Sequence, residues 1–201
     1  MPQDAAWSCA GAGASGEPDH HGAGNNSNWR GTGHGHSIGG GALEVWCTAN
    51  NKYLIWDKGQ LSVNLAFSDE AQHKYHFHLP DGKERVILSG ETVAMAIGGG
   101  EAYLYYGHQK IGINLKWSTK PVYQWRIYGE DGQVGVPLKT GTTYALLNEA
   151  VEPDPDFMIY MNKHVPGVVS LGWTSTKDWL QELANRVARE AAKKAVEALM
   201  A

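Results

Sequence analysis

The sequence predicts an all-β protein with a three-fold internal repeat, a glycine-rich segment before it and a helix after it. Residues 42–173 alternate apolar and polar side chains in short runs, as half-buried strands do. The stretch "YLIWDKGQLSVNLAFS" at 53–68 returns about fifty residues later as "YLYYGHQKIGINLKWS", and a looser copy occupies 157–174. From residue 176 onward the spacing of apolar residues changes to that of a helix.

The N-terminal segment is rich in glycine and poor in aliphatic side chains. Residues 1–41 contain eleven of the 25 glycines, and Ile38 is their only branched aliphatic residue. Such a segment has too little apolar area to offset the entropy lost on ordering. We therefore expect residues 1–28 to form a tail or a loop, with Trp7 and Trp29 as anchors.

Two histidines, His34 and His36, lie in the glycine-rich stretch "GTGHGHSIGGG". A phosphate-binding loop would need a preceding strand, a following helix and a closing Lys-Ser or Lys-Thr, which this stretch does not offer. A metal-binding tail is one interpretation of the two histidines, and an inert linker is the one we expect.

The β region consists of about a dozen short alternating runs. Turn signals separate them at 80–82 (Pro-Asp-Gly), 98–100 (Gly-Gly-Gly), 130–132 (Glu-Asp-Gly) and 153–155 (Pro-Asp-Pro). The predicted strands are "LEVWC", "YLIW", "SVNLAF", "YHFHL", "RVIL", "VAMAI", "YLYY", "GINLKW", "YQWRIY", "QVGVPL", "YALL", "FMIY" and "VVSLGW".

The three copies carry aromatic residues at corresponding places. Copies begin at Tyr53, Tyr103 and Phe157 and end at Phe67, Trp117 and Trp173. A fixed period in strand-rich sequence indicates a symmetric closed architecture, and three copies are too few for most propellers. We expect Phe67, Trp117 and Trp173 to be core anchors, together with Phe77 and Trp125. The first two copies are followed by a predicted hairpin, whereas the third is not. The stretch "NSNWRG" before the first copy resembles "YQWRIY" of the second. A strand at Trp29 would therefore complete the third copy and close the ring of three copies.

Three strand-rich repeats with "YQW" at 123–125 and Asp-Gly turns resemble β-trefoil proteins, and among them the ricin-B-type lectins with their Gln-x-Trp repeat. The resemblance covers residues 29–173 and implies a β-trefoil-like domain that is a non-enzymatic, carbohydrate-binding recognition module. The family's early-strand Asp is matched by Asp57, whereas Gly107 and Met161 stand at the corresponding places of the other copies. The resemblance therefore implies at most one sugar site.

A sugar site needs an exposed aromatic ring and a few hydrogen-bonding groups. Aromatic residues occupy comparable places in the three copies, and polar residues align beside them. The candidate ligand-binding residues are Trp56, Asp57, Tyr105, Tyr106, Gln124, Tyr160 and Asn162. Since no catalytic triad, carboxylate pair or nucleotide loop stands out, we expect no enzyme, no cofactor and no metal.

His76 and His78 flank Phe77, so on a strand both would point to one face. With Glu84 downstream they resemble the cupin pattern of His-x-His and Glu, which implies a metal-binding cupin-like protein as an alternative. We expect two solvent-facing histidines instead. The other alternative is a toxin or membrane-acting, cytolysin-like β-rich protein.

Charge and composition narrow the partners and the compartment. The net charge is −4, which argues against a duplex nucleic-acid binder, since such proteins need a basic face. No apolar run approaches the roughly 18 residues that span a bilayer. Without a visible secretory signal, we expect a protein that is cytoplasmic or released by another route. Cys9 and Cys47 should be free thiols, with a single bridge between them as the alternative.

The C-terminal part, 174–201, predicts an amphipathic helix. Ser175 or Thr176 is a natural N-cap, and Asp178 follows in the first turn. We expect the first two turns to dock on the β domain through Trp179, in place of the missing fourth-strand anchor of the third copy. The narrow apolar stripe comprises Leu180, Leu183, Val187, Ala191 and Ala195. Its later part suits helix–helix contact in a homo-oligomer, and a solvated helix is the alternative.

Overall fold

The structure, a computed structural model, describes residues 6–8, 29–32, 38, 44–58, 63–72, 74–97, 102–109, 112–129, 131–162 and 165–200. This part of the chain is mostly β: thirteen strands form one curled, half-barrel sheet, and a helix follows them. The strands are β1 (Ala6–Ser8), β2 (Trp29–Thr32), β3 (Val45–Cys47), β4 (Lys52–Trp56), β5 (Leu65–Ser68), β6 (Tyr75–His78), β7 (Thr92–Ile97), β8 (Ala102–Tyr106), β9 (Leu115–Ser118), β10 (Trp125–Gly129), β11 (Thr143–Asn148), β12 (Asp156–Tyr160) and β13 (Leu171–Ser175). The helix is α1 (Thr176–Met200).

Nine of these strands form three antiparallel meanders, β3-β4-β5, β7-β8-β9 and β11-β12-β13. The central residues Leu54, Leu104 and Met158 are fully buried. Corresponding positions of the sequence repeat pair in the same register. The paired triplets are Val45–Leu54–Phe67, Met95–Leu104–Trp117 and Leu146–Met158–Trp173.

Two predicted strands, "RVIL" and "QVGVPL", are joined by a single bridge between Leu88 and Pro137 rather than a ladder. Pro137 has no N–H to donate, so a regular ladder cannot continue through it. Gly90 and Gly135 have φ of 86° and 78°, a left-handed conformation that bends the chain on both sides of the bridge. The prediction of regular strands was wrong here.

Three buried backbone segments meet in a closed triangle of hydrogen bonds. The N–H of Ile38 donates to Leu138 O at 2.8 Å, that of Leu138 to Ile87 O at 3.0 Å, and that of Ile87 to Ile38 O at 2.7 Å. All three side chains belong to the main core. Ile38 is therefore an anchor of the glycine-rich segment, which the sequence analysis missed.

The N-terminal segment joins the third meander to the first. Strand β2 pairs with β11, with Trp29 opposite Tyr144, and β1 lies between β2 and β3, with Trp7 opposite Val45. Strand β1 falls within the expected tail, where three extended residues satisfy strand edges that would otherwise be unpaired. The rest of 1–28 lies outside the described residues, as do Cys9, His34 and His36.

Two tryptophans of the main core hold its strands together through their indole N–H groups. Trp29 donates to Met158 O at 3.2 Å, and Trp125 donates to Leu104 O at 2.7 Å. The predicted anchors Phe77 and Trp125 are buried, and the anchors at the end of each repeat are partly buried against the core. Cys47 is a buried, free thiol.

The helix begins where the sequence predicted. The hydroxyl of Ser175 accepts from the N–H of Asp178 at 3.1 Å and donates to the Asp178 carboxylate at 2.7 Å. This reciprocal pair satisfies an N-terminal N–H that has no partner within the helix, so Ser175 is the N-cap.

The first turns of α1 dock on the outer face of the sheet through Trp179, as predicted. Its ring packs in a cluster with Ala145, Leu147 and Phe157, separate from the main core. Successive strand residues face opposite sides, so this cluster lies behind the inward-facing Leu146. Trp179 thus does not take the place of an inner anchor, and that part of the prediction was wrong.

Candidate ligand-binding sites

The candidate residues Trp56, Tyr106 and Tyr160 lie at the ends of β4, β8 and β12, one in each meander. The Tyr160 ring packs edge-on against Phe67 at 5.5 Å, and the Tyr106 ring against Trp173 at 5.8 Å. Each contact joins a ring of one meander to the last aromatic residue of another. These rings seal one end of the core, so the three candidates are spread around that end rather than gathered in one site.

Three other candidates have distinct surroundings. The side-chain carbonyl of Gln124 accepts from the N–H of Tyr106 and from Asn148 Nδ2, the latter at 3.1 Å, so this oxygen connects β8 to β11. Tyr105 lies over Gly107, where an added Cβ would approach its ring to 2.8 Å. Asn162 is exposed beyond the end of β12. The structure does not bring these three residues together, and their ligand-binding role stays a prediction.

The end of the first meander carries an aromatic ring, a carboxylate and an ammonium group in succession. Lys58 Nζ lies 5.9 Å above the ring of Trp56, within range of a cation–π contact. Trp56 and Asp57 are partly buried, and Lys58 is exposed. The Trp56 ring also packs against the main core, so the lysine ammonium lies over a partly buried indole.

The backbone of Asp57 has counterparts in the other meanders, but its side chain does not. The N–H of Asp57 donates to Asn64 O at 3.2 Å, and the N–H of Met161 donates in the same way to Ser170 O at 2.9 Å. The Met161 side chain covers Gly172, where an added Cβ would lie 2.5 Å from Met161 Cγ. This place is therefore filled by apolar packing in the third meander, whereas the first presents a carboxylate.

His76 and His78 share the outer face of β6, with ring centroids 6.1 Å apart and an angle of 21° between the planes. Partial burial lowers the pKa of both imidazoles. The charge of the neighbouring histidine lowers the pKa of His76 further, and the nearby Glu84 partly opposes the shift at His78. Both shifts favour the neutral imidazole, and the rings are half-buried rather than fully solvent-facing.

A cupin-like centre would require a third ligand beside His76 and His78. Within the described ranges, no group of three or more His, Cys, Asp or Glu side chains is close enough to hold a metal ion. Glu84 acts on His78 through its charge but does not complete such a group. The described residues therefore do not form the three-ligand arrangement of the cupin alternative.

A cleft of about 720 Å³ lies between β10, β11, the loop before β12 and the start of α1. The Arg126 guanidinium contacts Glu149 Oε1 at 2.7 Å, and Thr92 Oγ1 donates to the other Glu149 oxygen at 3.0 Å. No local pattern in the sequence indicated this cleft, because the lining residues are far apart in the chain. They are Arg126, Leu147, Glu149, Pro153, Asp154, Pro155, Asp156, Ser175, Thr176 and Lys177.

Carboxylates crowd one wall of the cleft. Burial raises the pKa of Asp156, and the negative charges of Asp154 and Asp178 raise it further. On the opposite side, the hydrogen bond to Glu149 raises the pKa of Arg126. The cleft thus offers both hydrogen-bond acceptors and a guanidinium, beside apolar surface from Leu147 and the two prolines.

Comparison with known proteins gives no relatives: no family model matches the sequence, and no curated protein or solved structure matches the chain. In the described part of the chain, no helix combines the length and the apolar character that a bilayer crossing requires. The function must therefore be argued from the geometry of the molecule itself.

Proposed function

We propose that this protein is a non-enzymatic recognition module with a β-trefoil-like body, and that it binds carbohydrate at the end of its first meander. The observation that carries the proposal is the arrangement of Trp56, Asp57 and Lys58. A partly buried indole, a partly buried carboxylate residue and an exposed lysine follow one another there, and the lysine ammonium lies 5.9 Å from the indole ring.

The hydrogen-bond triangle of Ile38, Ile87 and Leu138 supports the trefoil-like body. Each residue precedes the first strand of a meander by a similar distance in sequence, and each donates to one neighbour and accepts from the other. A closed triangle of this kind is expected where three equivalent segments meet at a pseudo-three-fold axis.

The ladders between repeats supply further support. Strand β10 meets β7 with Trp125 opposite Val93, and β2 meets β11 with Trp29 opposite Tyr144. An experimental structure in which residues 53–68 and 103–118 fail to superpose would rule out the trefoil-like arrangement.

The chemistry of the Trp56 site suits a sugar. The C–H face of a pyranose packs on an aromatic ring, while its hydroxyl groups hydrogen-bond to carboxylates and donors nearby. A sugar that stacks on this face must displace Lys58. That displacement is easy, because an exposed cation–π contact contributes only about 0.5–1 kcal/mol. The displaced ammonium would remain close enough to donate to a hydroxyl.

A glycan array on the full-length protein tests the proposal, followed by titration of the best glycan while tryptophan fluorescence is recorded. Asp57→Asn should weaken binding about tenfold or more, since a hydrogen bond to a charged group contributes roughly 1.5–3 kcal/mol. Asp154→Asn, in the cleft, is the matched control and should bind normally. Loss of binding in the Asp154 variant alone would place the sugar in the cleft and refute the Trp56 site.

Recognition of a protein surface is the second candidate, and the cleft at Arg126 and Glu149 favours it. Its proline and leucine walls with charged groups between them resemble the mixed lining of peptide-binding grooves. A toxin-like, membrane-acting role is separated from both by a liposome-leakage assay. Binding to no glycan, without leakage, would favour the protein-surface candidate over the other two.

A further inference from the structure

We propose that His76 and His78 form a two-histidine chelating site for a divalent transition metal of the Zn²⁺, Cu²⁺ or Ni²⁺ class. The site lies on the outer face of β6 and is independent of the proposed carbohydrate site at Trp56.

The geometry of the two rings is close to that of a chelate. Residues i and i+2 of a strand project from the same face, and the two ring centroids are 6.1 Å apart. Two imidazoles bound to one ion at about 2.0–2.1 Å per Zn–N bond would place their centroids roughly 4.5–5.5 Å apart. Small rotations of the side chains therefore suffice, without movement of the backbone.

The fold does not require histidines at these positions. His76 and His78 pair with Ala96 and Ala94 of β7, and both alanines are fully buried. On β10, Arg126 occupies the position equivalent to that of His76 and pairs with Leu147 of β11. Because the equivalent strand holds a different residue in the same register, the packing of the sheet does not account for an imidazole pair.

The outer face of β6 and β7 is also covered differently from the equivalent face of β10 and β11. Tyr128, at the place of His78, packs against Phe157 and Trp179 under the helix. No helix in the described part of the chain covers the histidine face, and the ring of Tyr103 lies 5.6 Å from that of His78. Both imidazoles are thus half-buried at the surface of the sheet, without a helix above them among the described residues.

One ring nitrogen of the pair needs a partner. His78 Nε2 is buried and has no hydrogen-bond partner among the described residues. A buried polar atom without a partner is costly, and in native structures it often marks an unseen water or ion. A metal ion held by this nitrogen and by a nitrogen of His76 would supply the missing interaction.

Metal binding requires the neutral imidazole. Imidazole ligands favour Zn²⁺, Cu²⁺ and Ni²⁺ over Mg²⁺ or Ca²⁺. Two protein ligands leave further positions of the ion open to water or to an external ligand.

The test must resolve individual histidines, because the full chain contains nine. Titration of the full-length protein with Zn²⁺, followed by ¹H–¹⁵N NMR of the imidazoles, should shift the resonances of His76 and His78 together. Calorimetry of His76→Gln and His78→Gln should show about tenfold or greater loss of Zn²⁺ affinity at this site. His108→Gln, an exposed histidine outside the pair, is the matched control and should bind as the unmodified protein does.

Unchanged His76 and His78 resonances in the presence of saturating Zn²⁺ would overturn the proposal. So would Zn²⁺ affinity that is lost only in a His34→Gln/His36→Gln variant, because that result would place the ion in the N-terminal segment. If a histidine variant fails to fold, the resonance shifts of the unmodified protein decide the question alone.

Discussion

The ring of Trp179 stacks on Phe157, with 4.3 Å between the centroids and 23° between the planes. This pair fixes the first turns of α1 to the outer face of the sheet. Leu180, the next residue, is 51% exposed. Trp179 is therefore the buried helix residue of this contact, and Leu183 packs beside it, partly buried.

Trp179→Ala should lower the free energy of unfolding by about 2–4 kcal/mol, near the range for large aromatic residues replaced by alanine in cores. Leu180→Ala is the matched control and should change it by roughly 0.5 kcal/mol or less, as expected for exposed positions. Unfolding in urea, followed by circular dichroism, measures both. Equal losses in the two variants would contradict the docking arrangement.

Tyr75→Phe should leave the protein as stable or raise the free energy of unfolding by up to about 1 kcal/mol. The Tyr75 ring is fully buried, and its hydroxyl has no hydrogen-bond partner among the described residues. Burial also raises the pKa of this phenol far above its ordinary value. Since a buried hydroxyl without a partner costs free energy, its removal relieves that cost.

Trp125→Phe provides the contrast to the Tyr75 variant. The indole N–H of Trp125 donates to Leu104 O at 2.7 Å, so its loss leaves a buried carbonyl without its partner. We expect this variant to lose about 1–3 kcal/mol in the same denaturation experiment. A Tyr75→Phe variant that is destabilised to the same extent would show that the tyrosine hydroxyl has a partner after all.

Ile38→Ala should destabilise the protein by about 2–5 kcal/mol, although Ile38 lies in a glycine-rich segment. Its side chain is buried in the main core, and its backbone bonds to both Leu138 and Ile87. Ile38→Val, which keeps the branched shape, should lose only about 0.5–1.5 kcal/mol. Thermal unfolding compares the two variants, and an unaffected alanine variant would refute the anchoring role.

Asp156→Asn should stabilise the protein at neutral pH and lose this effect in acid. The pKa of Asp156 is raised in the folded state, so folding favours the neutral carboxyl group. The cost of its charge therefore appears as pH rises above the ordinary value of 3.8 through the raised pKa, and it is absent below 3.8. Because the group is partly exposed, the gain should be roughly a few tenths of a kcal/mol.

Denaturation of the Asp156 variant at several pH values tests this dependence. Asp154→Asn removes one of the neighbouring charges and leaves Asp156 in place, so its gain at neutral pH should be smaller than that of Asp156→Asn. A gain from Asp156→Asn that does not change between neutral and acid pH would point to a cause other than charge.

Truncation after Asn185 should leave the β domain folded and lower its oligomeric mass in light scattering. From Val187 onward the described side chains of α1 are exposed, and Val187 itself is 57% exposed. An apolar stripe on a projecting helix suits contact with a second copy of the chain. Val187→Glu should dissociate such an oligomer, whereas Asn185→Glu adds the same charge away from the stripe and should not. A full-length protein that is monomeric at high micromolar concentration would refute the association.

The sequence by itself determined the elements of this protein. Period-two alternation predicted every strand of the three meanders. The repeated stretches "YLIW" and "YLYY" form β4 and β8, which are the central strands of the first two meanders. Ser175 correctly predicted the start of α1, because helix capping is a local interaction between residues three apart in the sequence. These features follow from burial periodicity and local hydrogen bonding, which a short stretch of sequence specifies alone.

Only the tertiary structure decided how the elements meet. The insertion of β1 between β2 and β3 and the anchoring of Ile38 depend on backbone groups that are about 25 to 100 residues away along the chain. The placement of Trp179 on the outer rather than the inner face was decided in the same way, by a strip of side chains left uncovered on β11 and β12. Such choices depend on which edges and faces remain unpaired once the sheet has formed, and no local pattern carries that information.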